Sequence, residues 1–132
     1  MPACPSMEWL RCHRWQWIDE QLDQALKECD ERSLVICGAA YNMADHLPRF
    51  DLLILLQIDA TTMARRLAAP GRNNDWGKVG ATLEWSFDLR RRQEAELVEA
   101  GAWRVDGRQP VEHVVAEITR ISRSHGIDLA DS

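Results

Sequence analysis

The chain has 132 residues and a mass of 15.1 kDa, enough for one domain with a real core. Its net charge of −5 and isoelectric point near 5.3 argue against non-specific binding to nucleic acid or to anionic membranes, which needs a basic face. No apolar run approaches the roughly 20 residues of a membrane span, and Met1–Ser6 lacks a secretory apolar region, so a cytoplasmic location is expected.

Residues 1–14 show no periodicity and are expected to be irregular. Of the four cysteines, Cys29 and Cys37 sit in apolar patterns and read as small core residues, and none forms a C-x-x-C pair. Cys4, Cys12 and His13 have no fourth ligand at zinc spacing, so reduced thiols are expected and no metal site is assigned. After Trp15 and Trp17, the apolar positions Ile18, Leu22, Ala25, Leu26 and Cys29 form one helical stripe, ending near Glu31–Arg32. Asp23 and Lys27 stand at i,i+4 on its outer face.

Ser33–Gly38 is a continuous apolar run of the kind that suits a strand covered on both faces. Tyr41–Leu47 reads as a helical turn closed by Pro48. Asp51–Asp59 is a second buried strand, and Asp59 is placed to cap a helix from Ala60 to Ala69 that Pro70-Gly71 ends. A polar loop with Arg72, Asp75, Trp76 and Lys78 follows. Gly80–Ala100 is ambiguous: Ala81, Leu83, Trp85, Phe87 and Leu89 alternate as in a strand, yet helix formers fill the second half with no breaker between. One helix of about five turns is expected, with Gly101 at its end. Arg90–Arg92 reads as a solvated face offset by Glu94, Glu96 and Glu99. Ala102–Asp106 is a third short strand, and Pro110 starts a last helix with the stripe Val111, Val114, Val115, Ile118 and Ile121. Residues 125–132 are expected to fray, and His46 and His113 look isolated. Strands alternating with helices imply parallel crossovers and an α/β fold.

The ordered set Leu34–Gly38, Phe50–Leu56, Arg66-Leu67, Asn74-Asp75-Trp76-Gly77-Lys78 and Val105–Val111 resembles the C-terminal part of P-loop small-molecule kinases of the adenylate-kinase and shikimate-kinase type. Within that group it looks most like ATP-binding proteins whose lid loop reads N-D-aromatic-G-K. The resemblance implies a three-layer α/β/α fold with a short parallel sheet over residues 15–124. It also implies ATP with Mg2+ and phosphoryl transfer to a small hydroxyl or phosphate acceptor. By that resemblance Arg66 and Arg72 are the lid arginines that neutralise the transferring phosphoryl group, Lys78 contacts phosphate or seals the lid, and Asp106, Gly107, Arg108 and Gln109 border the adenine. Trp15 and Trp17 fall on the acceptor side, although core packing explains them as well. Asp75 reads equally as a loop-orienting group and as a plain turn residue, and Trp76 reads first as packing.

One departure stands out. No G-x-x-x-x-G-K-[ST] motif occurs, and Gly77-Lys78 follows a helix and a polar loop. In the kinases the missing first strand lies between those matching Ser33–Gly38 and Leu52–Ile58. The sheet is therefore expected to be incomplete, and the 132-residue chain to bind ATP weakly or not at all. The alternative expectation is a non-catalytic α/β interaction module with an exposed strand edge that self-associates.

Overall fold

The computed structural model describes residues 1–29 and 32–129. In chain order the described elements are α1 (Met7–Cys12), α2 (Asp19–Cys29), a 3-10 helix (Met43–Arg49), β1 (Ile54–Gln57), α3 (Ala60–Leu67), α4 (Thr82–Glu99), β2 (Trp103–Asp106) and α5 (Val111–Ser124). The fold is mixed α/β around a two-stranded parallel sheet in which Ile54 faces Trp103 and Gln57 faces Asp106. Leu53 O accepts from Trp103 N at one end, and Gln57 O accepts from Gly107 N at the other, both at 2.9 Å. Leu55 and Val105 are buried between this sheet and its helices. α4 packs on β1 and α5 on β2.

The expected strand at Ser33–Gly38 does not form. From Ser33 to Ala39 no backbone group makes a hydrogen bond among the described residues, and Leu34 and Val35 are 43% and 57% exposed. An apolar run becomes a strand only where a neighbour takes up its backbone groups, and among the described residues nothing pairs with this one. Cys37 is accordingly exposed and Cys29 half-buried, so neither is the core residue its pattern suggests. The strand at 51–59 is shortened to the four residues that β2 can match.

Residues 1–14 are not irregular. Ser6 Oγ accepts from Trp9 N at 3.1 Å and caps α1, whose Leu10 is fully buried. The helix is six residues long, too short for a periodicity to show in sequence. It packs on α4, and Pro5 O accepts from Ala81 N at 2.8 Å. Gly80, at φ +51°, permits this approach: a Cβ there would lie 2.4 Å from Pro5 O and 2.7 Å from Pro5 N.

Several surface pairings differ from expectation. Asp23 pairs with Arg49 at 2.6 Å rather than with Lys27. His46, buried at 8% exposure, sets Nε2 2.9 Å from Asp19 Oδ1 and is not isolated. The 3-10 helix carries Pro48 inside rather than stopping before it, since a turn of i to i+3 bonds tolerates the missing N–H in its last residues. Arg90 and Arg92 do pair with Glu94 and Glu96, but Arg90 also donates to Ile58 O at 3.1 Å. The guanidinium of Arg92 lies 3.7 Å from the Tyr41 ring centroid, with that of Arg14 at 3.9 Å, and Tyr41 stacks on Trp85.

Other elements match their sequence signals. Asp59 caps α3, Thr82–Glu99 is one continuous helix, and Gly101 follows its end with its N–H donating to Val98 O. In α5, Ile121 is buried while Val111 and Val115 are 73% and 55% exposed, so only part of the expected stripe faces the core. Residues 125–129 form a turn and a short extension. Residues 130–132 of the expected tail, and Glu31 at the expected end of α2, lie outside the described residues.

Gly80→Ala should displace the N-terminal segment from α4 and destabilise the fold by about 1–3 kcal/mol, in the range of other backbone-strain substitutions. Urea denaturation checks this, and a loss of amide protection at Ala81 should accompany it.

Candidate functional site at the carboxyl ends of the strands

Because β1 and β2 run parallel, both chains leave the sheet on the same side. The turn after β1 carries Asp59, and the turn after β2 carries Asp106, Gly107, Arg108 and Gln109. In open α/β sheets, ligands sit outside such carboxyl ends.

Local chemistry fixes each side chain. Asp59 Oδ1 accepts from Thr62 N at 2.6 Å, which starts α3 and aims its N-terminus at the strand ends. Arg108 grips Asp106 in a two-pronged pair, Nε to Oδ1 at 3.0 Å and Nη2 to Oδ2 at 3.1 Å, while its Nη1 lies 3.5 Å from Asp59 Oδ2. Asp106 Oδ1 also accepts from Arg108 N at 2.9 Å. Gln109 Nε2 donates to Asp106 O at 3.0 Å and to Glu117 Oε2 at 3.3 Å, tying the turn to α5. Gly107 fits because a Cβ there would stand 2.9 Å from Ile58 Cγ2.

The charges of this cluster balance and polarise one another. The Thr62 backbone N–H, then its hydroxyl, then the Arg108 guanidinium hold the Asp59 carboxyl below its usual value. Asp106 is lowered chiefly by its side-chain and backbone bonds from Arg108, with the charge of Arg66 adding to them. Arg108 is raised by Asp106 and then by Asp59. Arg66, exposed on the last turn of α3, makes no side-chain hydrogen bond or ion pair among the described residues. Its charge acts on Asp106.

Arg72 and Lys78 belong to a different construction. Arg72 Nη1 donates to Leu67 O at 3.1 Å, Asn74 O at 3.1 Å and Trp76 O at 2.6 Å, and Lys78 Nζ donates to Arg72 O at 2.9 Å. Trp76 Nε1 donates to Ser86 Oγ, and Gly77 N to Thr82 Oγ1, both at 2.8 Å. Thr82 and Ser86 are themselves buried, so the loop is folded down on the first turns of α4. Trp76 is thus a packing residue, and the Asp75 side chain neither pairs with Arg72 nor caps α4. No hydrogen bond or ion pair joins Arg72 or Lys78 to the strand-end cluster among the described residues. The Nε and Nη2 atoms of Arg72 remain without such partners. Sequence reasoning missed Thr82 and Ser86, for which the signal was two small hydroxyl residues at i,i+4 just after a Gly-bounded loop.

Two carboxylates, Asp59 and Asp106, offer hard oxygen donors, suited to a cation that keeps water or phosphate oxygens in its other positions. No group of three His, Cys, Asp or Glu capable of holding a metal occurs among the described residues. A cleft of about 580 Å3 lies elsewhere, at the amino ends of the strands, bordered by Phe50, Asp51, Leu53, Glu96, Trp103 and His125. It is remote from the strand-end cluster, and the chemistry is the better guide here. No helix among the described residues is long and apolar enough to cross a membrane.

No family model matches the chain, nor does any curated protein or solved structure.

Both lowered carboxyls make the folded state bind fewer protons than the unfolded one. Their stabilisation is present above the ordinary carboxyl value and is lost as pH falls through the folded values. The thermal midpoint should therefore drop as pH falls below about 4, and the Asp59→Asn, Asp106→Asn double variant should show a flatter profile by circular dichroism. For the loop, Arg72→Lys should abolish the three-carbonyl grip and speed amide exchange at residues 73–78, while exchange in β2 stays unchanged.

Proposed function

We propose that this chain is the nucleotide-binding and lid portion of an ATP-dependent small-molecule kinase of the P-loop type, a three-layer α/β/α domain whose phosphate cradle is supplied by a segment that this sequence does not contain. The observation that carries the reading is the cluster of Asp59, Asp106 and Arg108 at the carboxyl ends of two parallel strands, with the charge of Arg66 acting on Asp106. The order of sequence segments, which resembles that kinase group, supports it. Phosphoryl transfer relies on positioning and charge neutralisation, and an exposed arginine with no side-chain partner among the described residues serves that chemistry.

In this reading Arg66 neutralises charge on the phosphates, and Asp59 and Asp106 are the carboxylates that would hold the accompanying Mg2+, which would supply further charge neutralisation. The Asp106–Gln109 turn borders the adenine. Arg72 holds the lid loop in shape through Nη1 and keeps Nε and Nη2 for phosphate, while Lys78 locks the loop to Arg72. The acceptor takes the γ-phosphoryl group on a hydroxyl or phosphate oxygen, with ADP as the leaving group.

A second reading, a non-catalytic α/β interaction module, is favoured by one specific observation: Leu56 of β1 is 51% exposed.

Titration with MgATP at millimolar concentration, followed by amide chemical shifts, separates the readings. The kinase-like reading expects weak, saturable shifts confined to residues 59–66 and 106–109, which Arg66→Ala abolishes and inorganic phosphate reproduces only in part. No shift at these positions would sink it. Micromolar, magnesium-dependent affinity by calorimetry would overturn the half-site description, since it would require a complete cradle in this chain.

A further inference from the structure

The two-stranded sheet leaves an unused edge on β1. Leu53 and Gln57 turn their backbone groups to β2, and in a parallel ladder this alternation turns those of Ile54 and Leu56 the other way. Among the described residues nothing pairs with them, because the sheet ends at β1. The edge lies open, with Leu56 51% exposed beside it. The same chain carries the complementary element. Ser33–Cys37 lies in neither helix nor strand, is uncharged and largely apolar, makes no backbone hydrogen bonds among the described residues, and presents Leu34 and Val35 to solvent. An unpaired edge and an unpaired β-forming run are each an invitation to pair with another chain.

We propose that two copies of this chain associate by strand exchange, the Leu34–Cys37 segment of each adding to the β1 edge of the other. Charge selects the direction. Arg32 precedes the segment and Asp51 precedes β1, both are exposed, and neither side chain has a hydrogen bond or ion pair among the described residues. Parallel addition sets Arg32 of one copy beside Asp51 of the other, at the amino ends of both strands. A stable interface buries on the order of 1,200 Å2 or more, of which one four-residue pairing supplies only part. Reciprocal exchange about a two-fold axis doubles the contact and leaves neither β1 edge open. The exchange uses no residue of the strand-end cluster, and in the 132-residue chain it fills the β1 edge that the kinase-like reading gives to the missing strand.

Sedimentation velocity of the 132-residue chain at concentrations on the order of 10 µM should show a dimer. Val35→Pro removes a donor from the added strand, and Leu34→Lys places a charge against the apolar edge. Each should weaken the dimer by about tenfold or more with an unchanged circular dichroism spectrum, because neither residue is buried in one copy. In the wild-type dimer the amides of Ile54 and Leu56 should exchange slowly, and in Leu34→Lys they should exchange fast. A monomeric wild type overturns the proposal, as does a dimer indifferent to both variants. A monomer with protected Ile54 and Leu56 amides would show instead that the segment closes on its own β1.

Discussion

The parallel pairing of Ile54–Gln57 with Trp103–Asp106 is the contact on which the remaining architecture rests. It is only four residues deep, yet it sets the positions of α3, which leaves β1, and of α5, which follows β2. Val105 is fully buried at its centre, and the Gly107 N–H closes its far end on Gln57 O. Slip β2 by one residue against β1 and Val105 turns outward while Leu55 stays inward, since side chains alternate faces with a period of two. The same shift would carry Asp106 and Arg108 away from Asp59.

Two polar assemblies are built on that frame by different means. The strand-end cluster relies on opposite charges held by short turns, with Arg108 bridging Asp106 and Asp59. The loop from Arg72 to Lys78 relies on side-chain donors satisfying backbone carbonyls, and on the buried hydroxyls of Thr82 and Ser86. The first leaves Arg66 uncommitted, whereas the second spends Arg72 Nη1 and Lys78 on its own shape. This division fits the expectation that functional groups need rigid support behind them.

Much of the local structure was legible in the sequence, because it depends on neighbours a few residues away. The Asp59 cap, the helix from Thr82 to Glu99, the Gly101 stop and the strand at Trp103 all follow from near signals. What failed was pairing at a distance. Ser33–Gly38 has a strand's composition, but composition cannot supply the neighbouring strand. Likewise the Asp19–His46 and Asp23–Arg49 pairs join α2 to the 3-10 helix across an interval no periodicity spans. For the site, sequence order grouped Arg66, Arg72 and Lys78 in one lid-like stretch. The fold leaves the Arg66 side chain without a hydrogen bond among the described residues and binds Arg72 and Lys78 into the loop's own backbone, a difference that three-dimensional hydrogen bonding reveals.

The spacing of the two strands along the chain bears on how the molecule assembles. Ile54 meets Trp103 across the whole of α3, the polar loop and α4, so the sheet has no hairpin from which to grow. Closing such a loop costs conformational entropy before any ladder bond forms. The 18 residues of α4, with its i,i+4 Arg–Glu pairs, form the longest single piece of that span as one local unit. The flexible length to be closed shrinks once α4 is helical. Loop-closure entropy therefore favours a helix that contributes no residue to the strand-end cluster forming before β1 finds β2.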